Sequence, residues 1–372
     1  MRKTSLILLA SALPLAVQAA NTEFSYGGYL KLDAMMSTYS DGDLGAASGG
    51  RDYYLPFTIP TGGEETSSFD MSAKSSRFNF KTVTTLENGE KVTGFVELDF
   101  LGSAQGNEVV SNSYSPRLRH AFFTVGNLTF GQTWSTFMNT SALPETVDFL
   151  GVSDGTVFNR QAQIRYTMGD FQFSLENPET TVGGTASDDN GLPDIVARYN
   201  LKAGDHTFSI AAIGRQFASQ NGVSGPTGVD ETATGFGASV SGVIKLGADD
   251  LKFSYTTGNV ARYVGVGSAS DVVVGANGDL EATDVNAAFV AYRHFWTDKV
   301  RSTLAYSMLE ADYDDAAAVT LTESSSSTRL NLMYSPTKEV TYGVEYSMAS
   351  RELVSGADGD MNRIQFTSKF TF

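Results

Sequence analysis

Residues 340–372 read VTYGVEYSMASRELVSGADGDMNRIQFTSKFTF, two runs of alternation on either side of a break rich in Gly and Asp. In the first run Val340, Tyr342, Val344, Tyr346 and Met348 alternate with Thr341, Gly343, Glu345 and Ser347. In the second, Ile364, Phe366, Phe370 and Phe372 share one face, and Arg363, Gln365, Thr367, Lys369 and Thr371 share the other. Side chains alternate faces along a strand, so each run reads as a strand with one apolar and one polar side. A single strand of this kind suits a soluble sheet equally well. The argument rests on how often the pattern returns.

It returns along the whole chain. Phe24, Tyr26, Gly28, Leu30 and Leu32 alternate with Ser25, Gly27, Tyr29, Lys31 and Asp33; Phe78 and Phe80 with Arg77, Asn79 and Lys81; Phe171, Phe173 and Leu175 with Gln172, Ser174 and Glu176. The connections alternate too. Short turns begin at Glu87, Val125, Met168, Lys202, Gly247, Thr297 and Ser335, and longer polar stretches lie between them, near 40–70, 102–115, 135–159, 178–191, 218–231, 263–281, 312–322 and 352–360. Seven turns and eight loops join sixteen strands, an even count that returns both termini to one side, as single-chain bacterial barrels require. The expected fold is all-β: a closed antiparallel transmembrane β-barrel of about 16 strands. It has short periplasmic turns and long extracellular loops, and the resemblance described below implies that one of them, 135–159, is folded into the lumen. The strands near 283–295 and 324–334 have the least definite ends.

Composition points the same way. Residues 1–19, MRKTSLILLASALPLAVQA, form a secretory signal peptide, with Arg2 and Lys3 before an apolar run and a cleavage site near Ala19; residues 20–372 then make a single barrel domain. No later run of eighteen apolar residues could cross a membrane as a helix, so any crossing is made by strands. Cysteine is absent, which removes disulfides and thiolate metal sites. The 24 Phe and 16 Tyr coexist with a mean hydropathy of −0.14, as alternation rather than a thick core would give. The net charge of −16, or −18 without Arg2 and Lys3, makes nucleic acid a poor partner.

The segments SSRFNFKT (75–82) and SPRLRHAFFTVGNLTFGQTWSTF (115–137), with a last strand ending in Phe372, resemble the DcaP-like trimeric porins of Gram-negative outer membranes. The resemblance covers most of the mature chain. It implies a 16-stranded homotrimer, a constriction loop in each channel, and passage of small anionic solutes such as dicarboxylates. Members of that family can carry an N-terminal periplasmic coiled coil, whereas here the first strand begins within a few residues of the cleavage site, so trimerisation is expected to rest on the barrel walls. Phe370 and Phe372 match the C-terminal aromatic ending by which the barrel-assembly machinery recognises its clients.

If the aromatic parity faces lipid, the opposite parity faces the lumen. The lumenal cations are then Lys31, Arg77, Lys81, Arg117, Arg119, Arg165, Arg198, Arg215, Lys245, Lys252, Arg301, Arg329, Arg363 and Lys369; the acids are Asp33, Glu97, Asp99, Glu176, Asp194 and Glu345. The inner wall is basic, and the excess acid sits in loops at Asp41, Asp43, Glu64, Glu65, Asp188, Asp189, Asp314 and Asp315. A basic lumen favours anions. Arg77 and Lys81 on strand two and Arg117 and Arg119 on strand four should flank Glu97 and Asp99 on strand three. They form an anion-selecting strip, a structural salt-bridge ladder, or both at once. Glu145 and Asp148 of the loop 135–159 are expected to face this strip across the channel. Arg165 and Arg198 complete the expected pore lining.

Three rivals compete. A hydrolase would need its nucleophile beside a histidine, but His120 falls on lipid-facing parity while His206 and His294 fall at periplasmic strand ends. Nor does the chain show a metal-ligand spacing or a cofactor motif, so no cofactor is expected. A sugar-selective pore would want lumenal aromatics, of which Tyr29 and Phe95 are candidates. A soluble β-sandwich would not need strict alternation of turn and loop. Passive diffusion is the expected activity, since nothing resembles a plug domain or a nucleotide site. Outward-facing Gly28, Ala34, Gly94, Ala238 and Gly242 could let barrels pack closely.

Overall fold

The structure is a computed structural model that describes residues 21–103, 109–187, 189–220, 229–314 and 317–372. The signal peptide at 1–19, and Asp188 and Asp315 among the loop acids, lie outside the described residues.

The wall is built from sixteen antiparallel staves. They are β1 (Thr22–Tyr39), β2 (in two segments, Thr66–Ser72 and Arg77–Thr85), β3 (Lys91–Asp99), β4 (Arg117–Val125), β5 (Leu128–Trp134), β6 (Arg160–Met168), β7 (Phe171–Glu176) and β8 (Asp194–Ala203). The second half comprises β9 (His206–Ser219), β10 (Glu231–Leu246), β11 (Asp249–Gly258), β12 (Asp284–Phe295), β13 (Val300–Asp312), β14 (Thr322–Tyr334), β15 (Val340–Leu353) and β16 (Asp358–Thr371). Each pairs with its neighbours in sequence, and β1 pairs with β16 from Tyr29↔Thr371 to Tyr39↔Met361, which closes the ring. Closure removes the sheet edge, whose unpaired N–H and C=O groups could not be tolerated in hydrocarbon.

The strand faces are inverted relative to a soluble protein. Tyr342, Val344, Tyr346, Ile364 and Phe366 point outward and are exposed, while Glu345, Ser347, Arg363, Gln365 and Thr367 point inward and are buried. A continuous apolar exterior around a polar interior is stable only when lipid is the outer solvent.

Two local departures shape the interior. Both segments of β2 pair with β1, and the gap at 73–76 is closed by side chains: the Ser75 hydroxyl donates to Asp33 at 2.7 Å and the Lys31 N–H to Ser76 Oγ at 3.0 Å. On β4 a bulge follows the Glu97↔His120 pair, because Leu98 pairs with Leu118 and Arg119 is left as the extra residue. A bulge switches the parity of everything beyond it. Arg119 and His120 therefore both turn inward, contrary to the lipid-facing position expected for His120, which is buried with Nδ1 3.0 Å from Thr133 Oγ1.

Other expectations are corrected at the loop end. The stretch near 352–360 is a tight turn, closed by the Leu353 N–H to Ala357 C=O bond with Gly356 at φ 77°. The loops 177–193 and 259–283 contribute Thr180–Val182, Thr185–Ser187, Val272–Val274 and Leu280–Ala282 to a separate four-stranded sheet, in runs too short for periodicity to reveal. Gly242 is not an open packing surface: a Cβ there would lie 2.7 Å from the Phe208 ring and 3.0 Å from that of Phe253.

Gly28 lies opposite Phe78 of β2, at φ 152°, and a Cβ would lie 2.1 Å from the Arg77 carbonyl oxygen. Gly28→Ala should lower the temperature at which the barrel loses its compact migration in detergent gels. Gly45→Ala, where a Cβ meets nothing within 4 Å, should leave it unchanged.

Candidate functional site

The polar inner faces of β2, β3 and β4 bring one basic strip together. Arg117 grips Asp99 with two parallel bonds, Nε to Oδ1 and Nη2 to Oδ2, both 2.8 Å. Arg119 bridges both acids, Nε to Glu97 at 2.8 Å and Nη1 to Asp99 at 3.0 Å, with only 2% of its surface exposed. Arg77 lies 3.5 Å from Glu97 and stays partly open. Charge-assisted forks of this kind hold geometry as well as charge. Lys81 shares the lumenal parity of Arg77 but lies farther toward the turn end, exposed and without an ion pair among the described residues.

Loop 135–159 runs along the inner wall, and several of the staves it passes supply a donor to it. Arg165 on β6 donates to the Trp134 carbonyl and Arg198 on β8 to that of Met138. Lys252 on β11 then reaches the Leu143 carbonyl at 2.6 Å and Lys31 on β1 that of Val147 at 2.8 Å. Between these, Glu145 accepts from Arg293 at 3.1 Å and from Arg301 Nε at 2.6 Å. From the wall side Glu345 accepts the N–H of Val147 at 2.9 Å. Backbone groups taken out of water need such partners.

The returning arm is pinned at Asp154, which accepts from the hydroxyls of Tyr54 (2.7 Å), Ser307 (2.5 Å) and Ser327 (2.6 Å). Two further loops fold in beside it. Asp148, buried in the turn of the arm, accepts the N–H groups of Tyr54, Leu150 and Gly151. From loop 259–283, Tyr263 donates its hydroxyl to Asp194 and its carbonyl accepts from Phe158 N–H, both at 2.8 Å, while Arg215 holds Asp271 at 2.5 Å.

Rings from the loop and from the end of β5 lie against this strip. Phe149 at the loop tip lies 5.4 Å from the Arg119 guanidinium and 5.9 Å from that of Arg77. Trp134 lies 5.6 Å from Arg119 and 4.6 Å from Arg160, and Phe158 lies 5.3 Å from Arg160.

The expected pair of acids facing the strip is thus not what the structure brings there. Glu145 is claimed by Arg293 and Arg301 on another part of the wall, and Asp148 is spent on backbone N–H groups, because a folded-in loop must first satisfy its own polar groups. Of the residues expected as pore lining, Arg165 holds the Trp134 carbonyl and the Thr136 hydroxyl, and Arg198 holds the Met138 carbonyl. Arg160, Arg293 and Trp134 were missed. Arg160 and Trp134 sit at strand ends beside the loop, where parity stops being a guide, though their flanking of the long loop on both sides was visible. Lumenal aromatics are also more numerous than parity allowed, since the β4 bulge turns Phe122 inward, its ring 5.6 Å from that of Phe95.

A sequence model of the family described as DcaP outer membrane protein matches residues 16–372. Among solved structures, the outer membrane channel DcaP of Acinetobacter baumannii superposes with a TM-score of 0.76 at 23% identity, covering 95% of this chain and 98% of that one. An anion-selective porin from Comamonas acidovorans follows at TM-score 0.58 and 12% identity, over 94% of this chain and 100% of that one. The trimer form of in-vitro folded OmpT of Vibrio cholerae gives 0.53 and 14%, over 95% and 100%. No curated protein matches the sequence.

Glu145 makes the fastening of the loop sensitive to pH in a definite direction. Burial pushes its carboxyl up, but the hydrogen bonds and charge of Arg301 and Arg293 outweigh this and hold it below its ordinary value. A lowered folded-state pKa means the contact is complete above the ordinary glutamate range and is lost as pH falls through the lowered value. Each charge-assisted bond contributes roughly 1.5–3 kcal/mol. In planar bilayers, Glu145→Gln should give a noisier and larger conductance at neutral pH, a state the native channel reaches only in acid below the ordinary glutamate range.

Proposed function

The chain belongs to the DcaP outer membrane protein family, and we propose that this outer-membrane porin favours small anions, dicarboxylates among them, at the aperture beneath Phe149. Family and fold indicate a channel rather than an enzyme. The observation that carries the anion preference is the charge balance at the aperture: four guanidiniums, Arg77, Arg117, Arg119 and Arg160, against two carboxylates, Glu97 and Asp99. Two positive charges are left over in a site of low dielectric, where fixed charge lowers the barrier for a partly dehydrated anion. The same excess matches the two negative charges of a dicarboxylate. In this assignment Glu97 and Asp99 set the pose of the arginines, Lys81 adds to the field on the turn side, and Arg165, Arg198, Glu145 and Asp148 act by holding the loop that narrows the pore.

Assembly as a homotrimer fits the wall. β5 has 7 residues and β7 has 6, short of the roughly 9–11 that a spanning strand needs. Strands β9, β15 and β16 have 14 each. A low wall is better covered by a neighbouring barrel than by lipid, and the trimer form of OmpT is consonant with that. Export by the signal at 1–19 and recognition of Phe372 by the barrel-assembly machinery complete the assignment. Movement through the channel is passive.

A second reading has one observation in its favour. Tyr29, Phe95, Phe122, Phe149 and Phe158 all lie on the lumenal side, a file along which a sugar could slide. Reversal potentials in a salt gradient across planar bilayers separate the two. The anion reading predicts chloride preference and block by succinate, with Arg77→Gln/Arg119→Gln lowering both several-fold. Block by a neutral sugar, with no ion preference, would favour the second reading.

A further inference from the structure

We infer that Arg160 is the docking point for the solute's carboxylate, the residue of the aperture that decides anion specificity. The inference rests on the anion reading above and deepens it to one side chain.

Nearly every other cation of the inner wall is already committed. Arg198, Lys31 and Lys252 hold loop carbonyls, Arg165 holds the Trp134 carbonyl and the Thr136 hydroxyl, and Arg293 and Arg301 hold Glu145. At the aperture itself Arg117 and Arg119 are bound to Asp99 and Glu97, and Arg77 leans on Glu97. Arg160 differs from them all. Its register partner across the ladder is Trp134, not an acid, and its guanidinium lies against two rings, Trp134 at 4.6 Å and Phe158 at 5.3 Å. Its side chain makes no ion pair or hydrogen bond with a described residue, and its buried Nη1 is without a partner.

The chemistry of that arrangement is specific. Rings attract a guanidinium through its flat faces, which leaves the in-plane N–H donors unused. A stacked fork is therefore preset in one plane and short of an acceptor, and the group that satisfies two parallel donors is a carboxylate. The side chain is half-buried, so it is desolvated enough for a charged contact to count. The second carboxylate of a diacid would then fall toward Arg77 and Arg119, which Trp134 and Phe149 place around the same opening.

The test uses the full-length trimer in planar bilayers, with reversal potentials in a KCl gradient and succinate as the blocking probe. Arg160→Gln should lower the chloride-to-potassium permeability ratio several-fold and abolish succinate block. Arg160→Lys should keep most of the ion preference, since the charge remains, yet weaken succinate block several-fold, since the planar fork is lost. Native-like ion preference and block in Arg160→Gln would overturn the inference, as would native-like block in Arg160→Lys should the glutamine variant fail to fold. Failure of the wider anion reading looks different: the unmutated channel itself would show no chloride preference.

Discussion

A backbone segment carried into the lumen must find a partner for every polar group it brings, and that requirement governs the interior of this barrel. Loop 135–159 meets it by laying its carbonyls against a series of wall cations and its N–H groups against Glu345 and Asp148. The basic inner wall is thus in large part a fastening. The loop is held by Glu145 and Asp154 at separate points, and between them Phe149 meets Arg77 and Arg119, where the proposed aperture lies.

The strip behind the aperture is stabilised by the acids that partly neutralise it. Four guanidiniums crowded together without Glu97 and Asp99 would repel one another, and a buried arginine with no partner would cost several kcal/mol. With two acids among four bases the cluster keeps its geometry and retains an excess charge. The structural ladder and the strip proposed to select anions are the same set of residues, with Arg160 standing outside the ladder.

Much of this was legible beforehand. The alternation in 340–372, the spacing of turns, and the strip of Arg77, Arg117, Arg119, Glu97 and Asp99 on neighbouring strands all follow from a period of two and antiparallel order. Where the period is interrupted, the argument fails at that residue and beyond. The extra residue at Arg119 reversed the side of His120 and brought Phe122 inward. No pattern in one strand can announce a bulge, which depends on the pairing of two. Glu145 and Asp148 meet other partners than the strip expected for them, since a loop's course depends on contacts distant in sequence, such as Glu145 with Arg301 and Asp154 with Ser327.

The sequence by itself determined the class of solvent on each side of the wall, the number of staves, and which face each regular strand residue presents. These follow from alternation, a local property that one chain carries in full. The tertiary structure alone decided which of the described lumenal cations are spent and which are not, because that depends on the path of loop 135–159 around the barrel. Arg160 illustrates the difference: its letter and position were always in view, but its lack of an acidic partner is a fact about Trp134, Phe158 and the space between them.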